Sequence, residues 1–275
     1  MSSLIRESRQ SPSLSTRWLS VVAGFSALVC AAFLLIPGTV AWKTHLALHG
    51  LCAQRPSHSL LIGGSTLPMD ARMTGIYVGA AVAIAWIVGA GRLRSARVPS
   101  PPVVSALAVF VFALAADGFN ALLVDLGAAH PYEPSNDLRL ITGILAGTAL
   151  GIVIGHLFAT SMWAQTNRKI AVVTSPHELF VPIFISSAIA TLAKIGFPIL
   201  YAPLAVGLLL ATVGLFSLLG MIVVALVTDR GWSHHATEEL APLAFAGFTV
   251  ALVIIAGLSW LRFAAEQFFA LPKLT

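Results

Sequence analysis

Seven apolar segments run through this chain of 275 residues, and each is long enough to cross a lipid bilayer as a helix. About 20 predominantly apolar residues in an α-helix span the hydrocarbon core of a membrane. Because a helix satisfies its own backbone hydrogen bonds in lipid, the segments predict an all-α integral membrane protein with seven transmembrane helices. The predicted spans cover residues 19–40, 74–90, 103–123, 138–163, 179–197, 201–227 and 241–261.

The composition excludes a soluble globular protein. The chain is 57% hydrophobic and 10% charged, whereas soluble domains carry about 25% charged residues. We therefore expect one transmembrane domain over residues 1–275, with the lipid bilayer as a partner. The net charge of +5 does not indicate nucleic-acid binding, because the basic residues cluster at helix ends without interleaved aromatics. A phosphate-binding loop and a dinucleotide fingerprint are both absent from the sequence, so we expect no nucleotide.

The basic residues predict the orientation of the chain. Nine of the 16 lysines and arginines lie on one side of the predicted spans. The positive-inside rule makes that side cytoplasmic, with the N-terminus inside and the C-terminus outside. Lys194 and Arg262 fall near the outer ends of spans, where we expect them to act as anchors at the lipid surface. The nine residues are Arg6, Arg9, Arg17, Arg92, Arg94, Arg97, Arg168, Lys169 and Arg230.

A polar cluster near the outer ends of the spans is the first candidate site. An ionisable side chain at the centre of a membrane helix costs about 2.5–3.5 kcal/mol, so such groups usually pair inside the bundle. Asp117 has two arginines at similar depth, and we expect it to pair with Arg72 or Arg139. The predicted outer loops, 41–73 and 124–137, would cap the cluster. Its members are Arg72, Tyr77, Asp117, Asn136 and Arg139.

Glycines recur at every fourth position of the fourth predicted span. Such a face lets two helix backbones approach closely. The pattern predicts a tight contact within the chain, against the second span, although a groove for a partner helix or a flat cofactor would have the same pattern. The glycines of the two spans are Gly75, Gly79, Gly143, Gly147, Gly151 and Gly155.

Histidines are the remaining candidates for ligands. His156 lies within the fourth predicted span. A haem or a chlorin would use such a histidine as an axial ligand, but an intramembrane histidine more often forms a hydrogen bond to a neighbouring helix. His45 and His49 have the spacing of two metal ligands on one helical face, yet two histidines alone do not complete a site. We therefore predict no cofactor and no metal, with a haem or chlorin at His156 as the open alternative.

Several short stretches together resemble a known family. They occupy residues 52–56, 74–79, 117–118 and 136–143, and read Cys-Ala-Gln-Arg-Pro, Thr-Gly-Ile-Tyr-Val-Gly, Asp-Gly and Asn-Asp-Leu-Arg-Leu-Ile-Thr-Gly. They resemble blocks of an uncharacterised bacterial membrane family, domain of unknown function 2085. The resemblance covers about residues 52–155 and leaves out the last three spans. It implies a multi-pass protein of the bacterial cytoplasmic (inner) membrane.

One departure from that family affects its chemistry. The family pattern has Cys-His in the first block and Cys-Ala-Arg-Cys before Thr-Gly, which is similar to a soft-metal or redox site. In this chain Cys52 remains, but Ala53, Asp70 and Met73 stand at the other three positions. The resemblance therefore implies a scaffold that has lost its metal ligands, with Cys52 as a lone thiol.

The lost ligands, the glycine face and the absence of catalytic motifs predict a protein that is not an enzyme. We expect a non-catalytic accessory subunit of a larger membrane complex, such as an electron-transport or other bioenergetic complex, with other integral-membrane subunits as partners. The first alternative is a small transporter or channel that uses Asp117 and Arg139 as a polar pathway. The second is a membrane redox or metal protein acting at the outer face.

Overall fold

The structure of the chain, a computed structural model, describes residues 14–269, and within that range it contains eight α-helices and four short β-strands. The helices are α1 (Leu14–Leu35), α2 (Val40–Leu48), α3 (Ala71–Gly89), α4 (Pro101–Asp125), α5 (Asn136–Met162), α6 (Phe180–Ile195), α7 (Tyr201–Val227) and α8 (Ala241–Phe268). The strands are β1 (Ser59–Ile62), β2 (Ser65–Asp70), β3 (Ser95–Arg97) and β4 (Asn167–Ala171).

All of these helices except α2 are long and apolar enough to cross a membrane. This confirms the prediction of an all-α protein with seven spans. The end of the first span is predicted wrongly, because α1 stops at Leu35 rather than reaching residue 40. Pro37 cannot continue the helical hydrogen bonds, and Gly38 adopts a φ of 129° that turns the chain into α2.

Helix α5 lies at the centre of the bundle, with 67% of its apolar stretch buried. Its glycine face packs against α3 in the most extensive contact between two helices. A Cβ atom added at Gly75 would lie 2.5 Å from the carbonyl oxygen of Leu140, and one added at Gly79 would lie 2.5 Å from that of Ile144. Such a close approach of two backbones needs glycine. The glycine face is thus used for a contact within the chain.

The predicted outer loop 41–73 is a folded unit that contains α2 and a β-hairpin. Strands β1 and β2 pair antiparallel, and Leu67 and Met69 of β2 are buried in the core. Asp70 ends the hairpin and caps α3, because its Oδ1 accepts a hydrogen bond from the backbone N–H of Met73 at 2.8 Å. An acceptor at this position satisfies one of the free N–H groups at the start of a helix.

Hydrogen bonds between connectors group the helix ends into two faces. Strands β3 and β4 pair in parallel, and a bridge between Trp163 and His234 adds the connector after α7. We call this end the basic face. At the opposite end, the N–H of Gly63 donates to the carbonyl oxygen of Gly196 at 3.1 Å. We call that end the outer face, as the charges predict. The grouping agrees with helices that cross the membrane in alternating directions. The assignment of the basic face to the cytoplasm stays a prediction.

Candidate functional site

An ion pair at the outer face is the centre of the candidate site. Nη2 of Arg72, in the first turn of α3, lies 2.6 Å from Oδ2 of Asp117 on α4. Asp117 is 1% exposed, so its negative charge depends on this partner and on hydrogen bonds. Of the two arginines that the sequence offers, the structure pairs Asp117 with Arg72.

Tyr132, in the connector between α4 and α5, completes the surroundings of Asp117. Its hydroxyl donates to Oδ1 of Asp117 at 3.1 Å. Burial and then the Asp117 carboxylate raise the pKa of Tyr132, so this hydroxyl stays protonated and continues to donate. Asn120 fixes the connector, because its Nδ2 donates to the carbonyl oxygen of Tyr132 at 2.8 Å. We did not predict either residue from the sequence. The available signal for Asn120 is its position three residues after Asp117, on the same face of a helix.

Arg139 and Asn136 lie at the start of α5, next to this ion pair but outside it. Nη1 of Arg139 donates to Oδ1 of Asn136 at 3.0 Å, and Nδ2 of Asn136 donates to the carbonyl oxygen of Ser57 at 3.0 Å. Arg139 is 8% exposed, and no carboxylate of the described residues 14–269 forms an ion pair with it. Tyr77 packs in the hydrophobic core. The predicted cluster therefore contains one ion pair, and its other members support neighbouring segments.

A second polar network joins the end of α8 to the loop after α2. The guanidinium of Arg262 donates to the carbonyl oxygens of His49 at 2.6 Å, of Cys52, and of Ala53 at 3.3 Å. Nε of Arg262 donates to Glu266 at 2.8 Å, and Glu266 lies 3.0 Å from Nε2 of His49. The prediction that Arg262 is an anchor at the lipid surface is wrong, because its side chain turns inward and binds the backbone of the loop.

Cys52 and Asp70, two of the positions that the family resemblance implies as metal ligands, lie in contact. Sγ of Cys52 accepts a hydrogen bond from the backbone N–H of Asp70 at 3.2 Å. The Asp70 carboxylate already caps α3. Nδ1 of His45 forms a hydrogen bond with the carbonyl oxygen of Ala41 at 2.9 Å. His45 and His49 are therefore not arranged to bind one metal ion together. Within the part of the chain that the structure describes, no group of three His, Cys, Asp or Glu side chains could hold a metal ion.

We expect Cys52 to react slowly with alkylating reagents. Its side chain is 5% exposed, and burial followed by the Asp70 charge raises the pKa of the thiol to about 11. Because the thiolate is the nucleophile, its fraction at neutral pH is roughly 100-fold below that of an ordinary cysteine. In a Cys30→Ser variant, alkylation measured by mass spectrometry should speed up about tenfold per pH unit until near pH 11. Fast alkylation at pH 7 would show that the thiol is not held as described.

His156 lies in the half of α5 near the basic face. Its Nδ1 is buried and has no hydrogen-bond partner among residues 14–269. A histidine in this state could provide one axial ligand to a haem or chlorin. However, a Cβ atom added at the adjacent Gly155 would lie 2.5 Å from Cδ1 of Ile87. At this point the glycine face is filled by α3, so a flat ring would have to lie on another side of α5. A cofactor at His156 stays a prediction.

Comparison with known proteins gives a family match for the part of the chain that contains Asp117 and its partners. No curated protein and no solved structure matches the chain. The matched region begins at Cys52 and ends within α5, so it includes the β-hairpin, α3, α4 and the residues around Asp117, and it leaves out α6 to α8. The chain is thus a multi-pass membrane protein whose residues 52–153 match the family described as "Predicted membrane protein (DUF2085)", which confirms the resemblance found in the sequence.

Proposed function

We propose that the chain is a non-catalytic integral-membrane subunit of a larger membrane complex. The observation that carries this proposal is the exposed state of α1. None of its apolar stretch, Arg17–Leu35, is buried. Trp18 and Phe25 attach α1 to α8 through Phe245 and Phe248, with ring centroids 5.2–6.0 Å apart. Close packing is what drives transmembrane helices to associate with one another. A partner subunit would provide α1 with the packing that this chain does not.

The polar cluster supports a structural role rather than a pathway. Both carboxylate oxygens of Asp117 are engaged, by Arg72 and by Tyr132. A residue that carries a proton or an ion must exchange partners during each cycle, whereas Asp117 and its two partners join α3, α4 and the connector after α4. The kind of complex, expected to be an electron-transport or other bioenergetic complex, stays a prediction from the sequence.

A small transporter or channel is the second candidate. One observation favours it: Oγ1 of Thr148, Oγ of Ser186 and Nδ1 of His156 are buried in the bundle without hydrogen-bond partners among the described residues. Unpaired polar atoms at membrane depth are costly, and water or a substrate would satisfy them. The Asp117→Asn variant separates the two candidates. A folded variant that lacks only transport would favour the transporter, whereas a loss of folded protein fits the subunit.

Cross-linking from α1 tests the subunit proposal. Cys30 is an exposed thiol on α1, whereas Cys52 is buried. In native membranes, a thiol-directed bifunctional reagent should join Cys30 to one defined second protein, which mass spectrometry would identify. Cys30→Ser should abolish the product. As a matched control, the thiol is moved to Val253 on α8, which is 66% exposed, in the Cys30→Ser background. Products that are diverse, or equal from both positions, would contradict the proposal.

A further inference from the structure

The basic face carries a two-stranded parallel sheet built from two separate connectors. Strand β3 lies between α3 and α4, and β4 lies between α5 and α6. In their register Ser95 faces Asn167 and Arg97 faces Ala171, and Nη1 of Arg97 donates to the carbonyl oxygen of Lys169 at 3.4 Å. The pairing places Arg97 next to Arg168 and Lys169, although 70 or so residues separate them along the chain. All three side chains are exposed.

The positive charge of this sheet is not compensated by the carboxylates around it. No carboxylate of residues 14–269 forms an ion pair with Arg97, Arg168 or Lys169. Glu178 is occupied by Arg92, with N–O distances of 2.5 and 2.9 Å. Glu239 accepts a hydrogen bond from a backbone N–H in the connector after α7, at 2.7 Å. Three exposed cationic groups that have no carboxylate partner attract an anion with several oxygen acceptors.

Two tryptophans and the ends of the neighbouring helices indicate the depth of the sheet. The ring of Trp86, which is partly exposed, lies 5.2 Å from the guanidinium of Arg92. Trp232 on the same face is 61% exposed. Tryptophan is enriched where hydrocarbon meets headgroups, because its ring is apolar and its N–H is polar. Strand β3 lies between the end of α3 and the start of α4, and β4 begins at Asn167, just after α5 ends at Met162. The sheet therefore lies next to the ends of membrane-spanning helices, where the headgroups of the bilayer are expected.

Apolar side chains are exposed next to the basic ones. Val98 follows β3 and is 68% exposed, and Ile170 in β4 is 42% exposed. In water these positions would be unfavourable, whereas at a bilayer surface they can enter the boundary between headgroups and acyl chains. A phospholipid fits both the basic and the apolar side chains of the sheet, because it carries a phosphate and hydrocarbon in one molecule. An acidic protein segment would satisfy the charges but would not account for the depth.

We propose that the β3–β4 sheet is a binding site for the phosphate of an anionic phospholipid, with Arg97, Arg168 and Lys169 as its ligands. The site does not depend on the proposed subunit function. A basic residue near an anionic membrane surface contributes about fivefold to binding. Removal of two of the three should therefore lower the preference for an anionic lipid by about 25-fold.

Native mass spectrometry of the full chain tests this site. The protein is reconstituted in bilayers of mixed phosphatidylglycerol and phosphatidylcholine, and the ratio of retained lipids is measured. The variant is Arg168→Gln with Lys169→Gln, both exposed. The matched control is Arg55→Gln with Lys194→Gln, which removes the same charge from the outer face, where each residue has a carboxylate partner at 3.3 or 2.8 Å. Thermal melting of each variant reports whether it is folded.

We expect the wild type and the control to retain phosphatidylglycerol in preference to phosphatidylcholine, and the Arg168/Lys169 variant to lose most of that preference with an unchanged melting temperature. An equal loss of lipid preference in the variant and the control would show that only net charge matters and would overturn the proposal. The absence of any preference in the wild type would overturn it too. Loss of a co-purifying acidic protein from the variant, with lipid retention unchanged, would assign the sheet to a protein partner and also overturn the proposal.

Discussion

Replacement of Gly147 by alanine should prevent α3 and α5 from packing and should strongly destabilise the protein. The added Cβ would collide with the carbonyl oxygen of Ile76, and it would also lie 2.7 Å from the Cα atom of that residue. Backbone atoms cannot rotate away as a side chain can, so the two helices would have to separate. Overpacking in a core typically costs 1–3 kcal/mol, and we expect about 3 kcal/mol or more here because the obstacle is backbone. Unfolding in mixed micelles with a denaturing detergent measures the loss.

Two glycines in α7 provide a matched control for that experiment. A Cβ added at Gly207 or Gly214 would have no atom within 4 Å. Alanine is a better helix former than glycine by about 1 kcal/mol in soluble helices, so either substitution should leave stability unchanged or raise it slightly. Similar losses for Gly147→Ala and Gly207→Ala would contradict the close contact between α3 and α5.

Loss of the Asp117 charge should also strongly destabilise the protein. In Asp117→Asn, Arg72 remains partly buried without its carboxylate, and breaking a buried ion pair by removing one partner costs about 3–5 kcal/mol. Since replacing both charges is much less harmful than replacing one, the double variant Asp117→Asn with Arg72→Gln should recover most of the stability. The same unfolding assay, applied to the single and double variants, measures the coupling between the two residues.

Arg139 is the control for this cycle, because the sequence offers it as an equal partner. It bonds to Asn136 rather than to Asp117. Asp117→Asn with Arg139→Gln should therefore remain as unstable as Asp117→Asn alone, or become less stable. If stability recovered in the double variant with Arg139→Gln and not in the one with Arg72→Gln, Asp117 would pair with Arg139 and the described ion pair would be contradicted.

Hydropathy and small-residue spacing predict the membrane helices and their central contact. The seven spans follow from the length of each apolar segment, since a bilayer requires about 20 such residues in a helix. The contact between α3 and α5 follows from Gly75, Gly79 and the four glycines of α5, because only a close backbone approach makes such a pattern useful. The first span is misplaced at its end because its apolar character continues past Pro37, whereas the helix does not.

The details of the site depend on contacts that a linear pattern does not contain. Asp117 has two arginines at similar depth, and the choice of Arg72 depends on how α3 and α4 both pack against α5. Tyr132 lies in a connector whose fold is set by Asn120. Arg262 appears in the sequence as a charge near a helix end, and only the fold of the outer loop brings three carbonyl oxygens within its reach.

The parallel pairing of β3 and β4 is equally invisible in the sequence. Both strands are short, and β4 shows no alternation of buried and exposed positions. Their basic residues predict orientation through the positive-inside rule, but they do not predict that two connectors meet. The pairing depends on the tight contact of α3 with α5, which brings the ends of these helices together.

The mass of the protein in its native membrane shows whether the chain works as a subunit. Membrane fragments extracted with a polymer that keeps the surrounding lipid preserve weak contacts between helices. A subunit should give a defined species heavier than the 28.9 kDa chain, with at least one different membrane protein in fixed ratio. A species that contains only this chain and lipid would contradict the claim and would leave the transporter as the better explanation.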